Sequence, residues 1–188
     1  MLFRSLVLGV IALFLYVGAE VIAADTIANY GKHLGVPLSD AKFFPSLTLS
    51  AMVVGYILGI LFIPKFISQS RALAISAITG IIFSMAVVMT KDYTSIVFLA
   101  LLGLANALMW PAIWPLAIDG LGKFVKTGSA LLIMAIAGGA TLPLIYGFLA
   151  DLHSFGPQLA YSVLIPCYAF ILFYSVKGHG FRSWGSKK

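Results

Sequence analysis

Six stretches of this chain run for the length of a bilayer crossing with almost no charge. A helix rises about 1.5 Å per residue, so about 20 mostly apolar residues cover the hydrocarbon core. Residues 5–24 hold one charge, Glu20, and residues 43–64, 72–90, 93–118, 127–150 and 155–176 hold none. Only 10% of the 188 residues are charged and 61% are apolar, whereas soluble domains carry about 25% and about 45–50%. Too few charges remain to solvate a protein surface. The runs are continuous and rich in Leu, Ile and Ala, unlike the alternating segments of about ten residues that build a membrane barrel. The expected fold is an all-α membrane protein with one six-helix domain over residues 1–188. The single Cys167 excludes a disulfide scaffold, and the apolar content excludes a disordered chain.

The connections are short. Lys91-Asp92 joins the third run to the fourth and Asp151–Ser154 joins the fifth to the sixth, while residues 25–42 make a longer loop. Orientation follows from where Lys and Arg collect, because cytoplasmic loops carry the excess. With the N-terminus inside, Arg4, Lys65, Arg71, Lys123, Lys126, Lys177, Arg182, Lys187 and Lys188 face the cytoplasm, and Lys32, Lys42 and Lys91 face the other side. Nine against three predicts both termini in the cytoplasm and a multi-pass protein of the plasma (inner) membrane. The formal charge of +6 then belongs to the membrane surface, and no nucleic-acid partner is expected, since no basic run is denser than Lys187-Lys188. Val17-Gly18-Ala19 before Glu20 imitates a signal-peptide cleavage site. Cleavage there would leave five spans, and the polar residues beyond it (Glu20, Asp25, Asn29) read better as the lining of a helix.

Glu20 is the one acid inside a span; Asp25, Asp40, Asp92, Asp119 and Asp151 lie at span ends or in loops. It sits about 24 Å along the helix from Arg4, in the outward half of the membrane. A carboxylate there costs about 2.5–3.5 kcal/mol on insertion scales unless a wet cavity, a partner or a proton compensates it. The functional reading is a cavity-facing acid that binds a polar substrate or carries a proton; the alternative is a neutral, hydrogen-bonded structural Glu. Tyr16 lies one turn earlier on the same face. In the fourth run Asn106, Trp110 and Trp114 are spaced i, i+4, i+8, a single stripe on an unbroken helix. Pro111 and Pro115 each remove a backbone donor beside it. Two indoles and an amide fit a sugar-binding wall, since an aromatic face stacks on the C–H face of a pyranose. The alternative is an interfacial Trp belt with packing kinks.

Other features read as packing. Gly55-x3-Gly59 is a close-approach pattern for neighbouring helices. Gly138-Gly139 with Pro143 and Gly147 suggests a bendable fifth span. His33, His153 and His179 fall outside the apolar runs. No metal cluster, phosphate loop or nucleophile elbow occurs in the sequence, so neither an enzyme nor a cofactor is expected.

Two blocks carry a family likeness: Tyr16-Val-Gly-Ala-Glu-Val21, and residues 106–147, from Asn106-Ala-Leu-Met-Trp-Pro-Ala-Ile-Trp-Pro115 through Pro143-Leu-Ile-Tyr-Gly147. They resemble the fucose and glucose/galactose permeases of the major facilitator superfamily, in their C-terminal six helices, seven to twelve. The segment Gly55…Pro64-Lys65…Arg71 resembles the superfamily's loop after helix eight without its usual acid and Gly-Arg-Arg pattern. The resemblance implies half of a sugar:cation symporter, with a monosaccharide and a proton (or sodium) as its solutes. It implies alternating access, with Glu20, Tyr16, Asn106, Trp110 and Trp114 at the sugar and Glu20 a candidate for proton coupling. The helices that usually hold the coupling acids belong to the other half, so a missing N-terminal six-helix half is the expected partner. Met1 beginning almost at a helix favours a gene fragment over a chain that pairs with a separate N-terminal half or self-assembles. The competing readings are a membrane scaffold or assembly subunit, and a transporter of another polar solute such as an amino sugar.

Overall fold

The computed structural model describes residues 4–63 and 65–181. Met1, Pro64, Arg182, Lys187 and Lys188 of the sequence reading lie outside them. Six helical spans are long and apolar enough to cross a membrane: Arg4–Asp25, Leu38–Phe62, Gln69–Met89, Asp92–Ile118, Gly122–Asp151 and Gly156–Val176. We call these the first to sixth spans. A short helix, Ile27–His33, lies between the first two, and the described residues contain no strand. The protein is a multi-pass membrane protein.

Lipid supplies no hydrophobic drive between helices, so association rests on close packing and interhelical hydrogen bonds. The first and fourth spans sit at the centre, with 56% and 61% of their cores buried against 22% for the second and 28% for the fifth. The first packs on the fifth, the fourth and the sixth; the second packs on the fourth, and the third on the fourth and sixth. The buried face of the first span is built largely from small residues, among them Gly9, Ala12, Gly18, Ala19 and Ala23. Close approach is most demanding at Gly138, where any Cβ would collide with the backbone carbonyl of Phe14. Gly55 and Gly59 lie against the side chains of Ala107 and Leu108, the close approach that the Gly-x3-Gly spacing predicts.

The guanidinium of Arg4 lies 4.7 Å from the centroid of the Phe181 ring, so the first and last described residues share one face, as an even number of crossings requires. The opposite face is held by hydroxyl groups. Tyr30 pairs with Ser95 at 2.8 Å, Thr26 with Tyr161 at 2.7 Å, and Tyr146 donates to the Pro157 carbonyl at 3.3 Å. The rings of Tyr30 and Tyr146 pack on Tyr161 at 5.3 and 4.7 Å. At the same end Gln158 donates to the carbonyls of Val87 and Thr90, satisfying part of the C-terminus of the third span.

Packing at Gly138 generates a direct test. Gly138→Ala should destabilise the purified chain by about 1–3 kcal/mol or abolish its expression. Gly147→Ala, with nothing near its added Cβ, should unfold in detergent at the same midpoint as the parent. Equal midpoints for both variants would show that the first and fifth spans are not held this closely.

Candidate functional site

The fourth span breaks where the site begins. A proline offers no N–H to the carbonyl four residues earlier, and its ring crowds that carbonyl. Pro111 does this to Ala107: the helix ends at Asn106, turns through Ala107 and Leu108, and restarts at Met109. Pro111 then falls in the first turn of the second segment, where a missing donor is tolerated.

That second segment carries Trp110 and Trp114, both half-buried, with rings stacked at 5.9 Å and 18°. Tyr16 of the first span is 1% exposed and sets its ring edge against Trp110 at 6.3 Å and 67°. One turn further along, the half-buried Glu20 interacts with the Tyr16 hydroxyl. Tyr56 on the second span and Tyr168 on the sixth lie close enough to Glu20 to feel its charge. Glu20, Tyr16, Trp110 and Trp114 therefore form a ladder, with a carboxyl group at one end and stacked indoles at the other.

Two cavities flank the second segment and meet at Pro111. One, of about 310 Å³, lies towards the second span and is lined by Tyr56, Gly59, Ile60, Leu108, Pro111 and Ala112 among others. The other, of about 540 Å³, lies towards the fifth span and is lined by Trp110, Pro111, Trp114, Pro115 and Ile133. Both volumes suit small-molecule sites, which run at about 300–1,000 Å³. The first is apolar except for Tyr56 and Gln69 at its edges. The second offers the aromatic face that a sugar ring would stack on, and is the better match to the chemistry.

Asn106 is buried between the fourth and sixth spans. It is 1% exposed, its Oδ1 accepts a 2.9 Å hydrogen bond from the Tyr168 hydroxyl, and its buried Nδ2 has no partner. The helix that carries Asn106, Trp110 and Trp114 turns at Ala107–Leu108; Asn106 bonds Tyr168 of the sixth span and Trp110 packs on Tyr16 of the first. Through Tyr168, Asn106 is linked to the neighbourhood of Glu20. Sequence reasoning missed Tyr56 and Tyr168. Tyr56 follows the close-approach Gly55 and so lies beside the second span's contact with the fourth. Nothing in the pattern around Tyr168 distinguishes it from the other aromatic residues of the sixth span.

No family profile matches the chain. It is 37% identical over 179 residues to the glucose/galactose transporter of Brucella abortus, covering 94% of this chain and 43% of that protein. Similarity extends to the putative glucose/galactose transporter of Helicobacter pylori (30% identical; 94% of this chain, 44% of that protein). It extends also to the L-fucose-proton symporter of Haemophilus influenzae (26% identical; 94% and 41%). The crystal structure of the major facilitator superfamily transporter FucP in the outward conformation superposes with a TM-score of 0.87 at 24% identity, over 97% of this chain and 43% of that one. The chain thus has a half fold of that superfamily, resembles glucose/galactose and fucose permeases along nearly its whole length, and spans less than half the length of the relatives it matches.

The Tyr168–Asn106 bond is testable on the chain alone. Tyr168→Phe strands the buried Oδ1 and should cost about 1–2 kcal/mol in reversible detergent unfolding. Combining it with Asn106→Leu should cost less than the two single losses added together. Strict additivity would mean that the two side chains do not cooperate.

Proposed function

We propose that this chain is the C-terminal six-helix half of a plasma-membrane symporter that imports a hexose such as glucose or galactose, or fucose, with a proton or sodium ion. The observation that carries the reading is the ladder of Glu20, Tyr16, Trp110 and Trp114 on the two central spans, whose two indoles line a cavity of sugar-accommodating size. The glucose/galactose transporter and L-fucose-proton symporter among its relatives support it.

The chemistry follows from the ladder. The stacked indoles present a flat, polarisable wall to the C–H face of a pyranose, and Tyr16, held edge-on by Trp110, keeps that wall in one orientation. Glu20 accepts hydrogen bonds from sugar hydroxyls, the stronger kind because the acceptor is charged. Its protonation would remove the charge that strengthens those bonds and turn one oxygen into a donor, so the same carboxyl group is the candidate for coupling sugar to a cation. Asn106 and Tyr168 brace the point where the fourth span turns. Both termini lie in the cytoplasm in this reading, which puts Arg4, Lys65, Arg71, Lys123, Lys126 and Lys177 on the basic side.

Alternating access needs two halves that rock about a central site. The poorly buried second and fifth spans flank the cavities and are the surfaces a further six-helix half would cover.

The test uses the chain joined to, or co-expressed with, that other half, and follows tracer sugar uptake into cells. Glu20→Gln should lower uptake about tenfold, the loss of one charge-assisted hydrogen bond. Trp110→Ala should raise the half-saturating sugar concentration without reducing the amount of protein in the membrane. Uptake at the parental rate in Glu20→Gln would reduce Glu20 to a structural role. Loss of Trp110→Ala from the membrane would mark the indole wall as packing.

A further inference from the structure

Outside the central groove, one small cavity has a different character. It measures about 230 Å³, lies between the start of the third span and the end of the sixth, and is lined by Ser70, Arg71, Ala74, Ser175, Val176 and His179. Four of its six lining side chains are polar and none is acidic. Its neighbours in the chain add to the positive charge: Lys177 follows Val176 and is exposed.

The donors that remain uncommitted select the ligand. The Ser175 hydroxyl donates to the Leu172 carbonyl at 2.7 Å and so has no proton to offer. His179 donates through Nδ1 to the Tyr174 carbonyl at 3.2 Å, so its Nε2 can donate to an anion only in the imidazolium form, which a bound anion favours. The backbone N–H of Arg71 is taken by the Ser68 hydroxyl at 3.4 Å, which leaves the guanidinium. A guanidinium and an imidazole ring at one small cavity, with no carboxylate among its walls, suit an oxyanion with several acceptor oxygens.

The surface running away from this cavity is apolar and unpartnered. Ile75 follows Arg71 by one turn and is 54% exposed; Ile78 and Ile82 continue along the third span, with Phe173 and Val176 exposed on the sixth. A polar, basic recess at the end of two membrane spans, opening onto an apolar strip along them, matches a phosphate headgroup joined to acyl chains. A free phosphate would use the recess and leave the strip unused.

We propose that Arg71 and His179 form a site for the phosphate of an anionic phospholipid, whose acyl chains lie along the strip of Ile75, Ile78 and Ile82. Basic recesses between spans at the membrane surface are suited to such headgroups. The site holds the third and sixth spans together at the face shared by the first and last described residues. It is independent of the sugar-binding reading.

The experiment is native mass spectrometry of the purified chain in detergent, with added phosphatidylglycerol or phosphatidylcholine. Phosphatidylglycerol should be retained about fivefold better than phosphatidylcholine, and Arg71→Gln and His179→Gln should each remove most of that preference. Lys65→Gln, on the same face but not among the side chains that line the recess, should leave it intact, and inorganic phosphate should not displace the lipid. Equal retention of the two lipids, or unchanged retention in both recess variants, would overturn the proposal. Loss of the preference in Lys65→Gln equal to that in Arg71→Gln would reassign it to diffuse surface charge. Displacement by inorganic phosphate would reassign the recess to a free anion. Should Arg71→Gln fail to fold, His179→Gln decides alone.

Discussion

In hydrocarbon, every backbone donor and acceptor must find its partner within the protein, and the prolines of this chain break that rule at chosen places. Pro111 deprives Ala107, Pro143 deprives Gly139 and Pro166 deprives Ser162 of the usual amide partner. Regular α-helix gives way at or just before each of these carbonyls: at Ala107–Leu108, at the 3₁₀ turn Ala135–Ala137, and at the 3₁₀ turn Tyr161–Val163. Such interruptions survive only under cover. Gly55 and Gly59 bring the second span down onto Ala107 and Leu108, and Gly138 brings the fifth onto the backbone of Phe14. The aromatic ladder and its cavities lie where the fourth span restarts.

How much of this was legible depends on which property carried the information. Helix number and extent rest on apolar length, a property of composition, and Lys91-Asp92 could be read as a tight connection because both neighbours were long and uncharged. Which side of each span faces protein is a different matter. The spans are apolar all round, so a buried Leu99 and an exposed Val97 look alike in sequence. The Tyr16–Glu20 pair was visible because one turn of unbroken helix separates them. The bond between Asn106 and Tyr168 could not be read, because the two residues lie on different spans. Tyr56 and Tyr168 were missed because their importance comes from neighbours on other spans, and no local pattern encodes a neighbour.

The burial pattern also separates two jobs within one bundle. The first and fourth spans are packed on most sides and carry the ladder. The second and fifth are packed on one side only, beside the two cavities. A wall built on well-packed helices keeps its side chains in place, and flanking helices with free surface remain able to engage another body. The third and sixth stand behind, joined through Gln158 at one end and brought together around the Arg71–His179 recess at the other.

The hydroxyl and tyrosine seam that ties Thr26, Tyr30, Ser95, Tyr146 and Tyr161 has a mechanical consequence. Its hydrogen bonds tie the fourth span to the helix Ile27–His33, and that helix's N-cap Thr26 to the sixth span, while Tyr146 of the fifth bonds the start of the sixth. Any motion that separates these spans at this face must first break those bonds, each worth about 0.5–1.5 kcal/mol net.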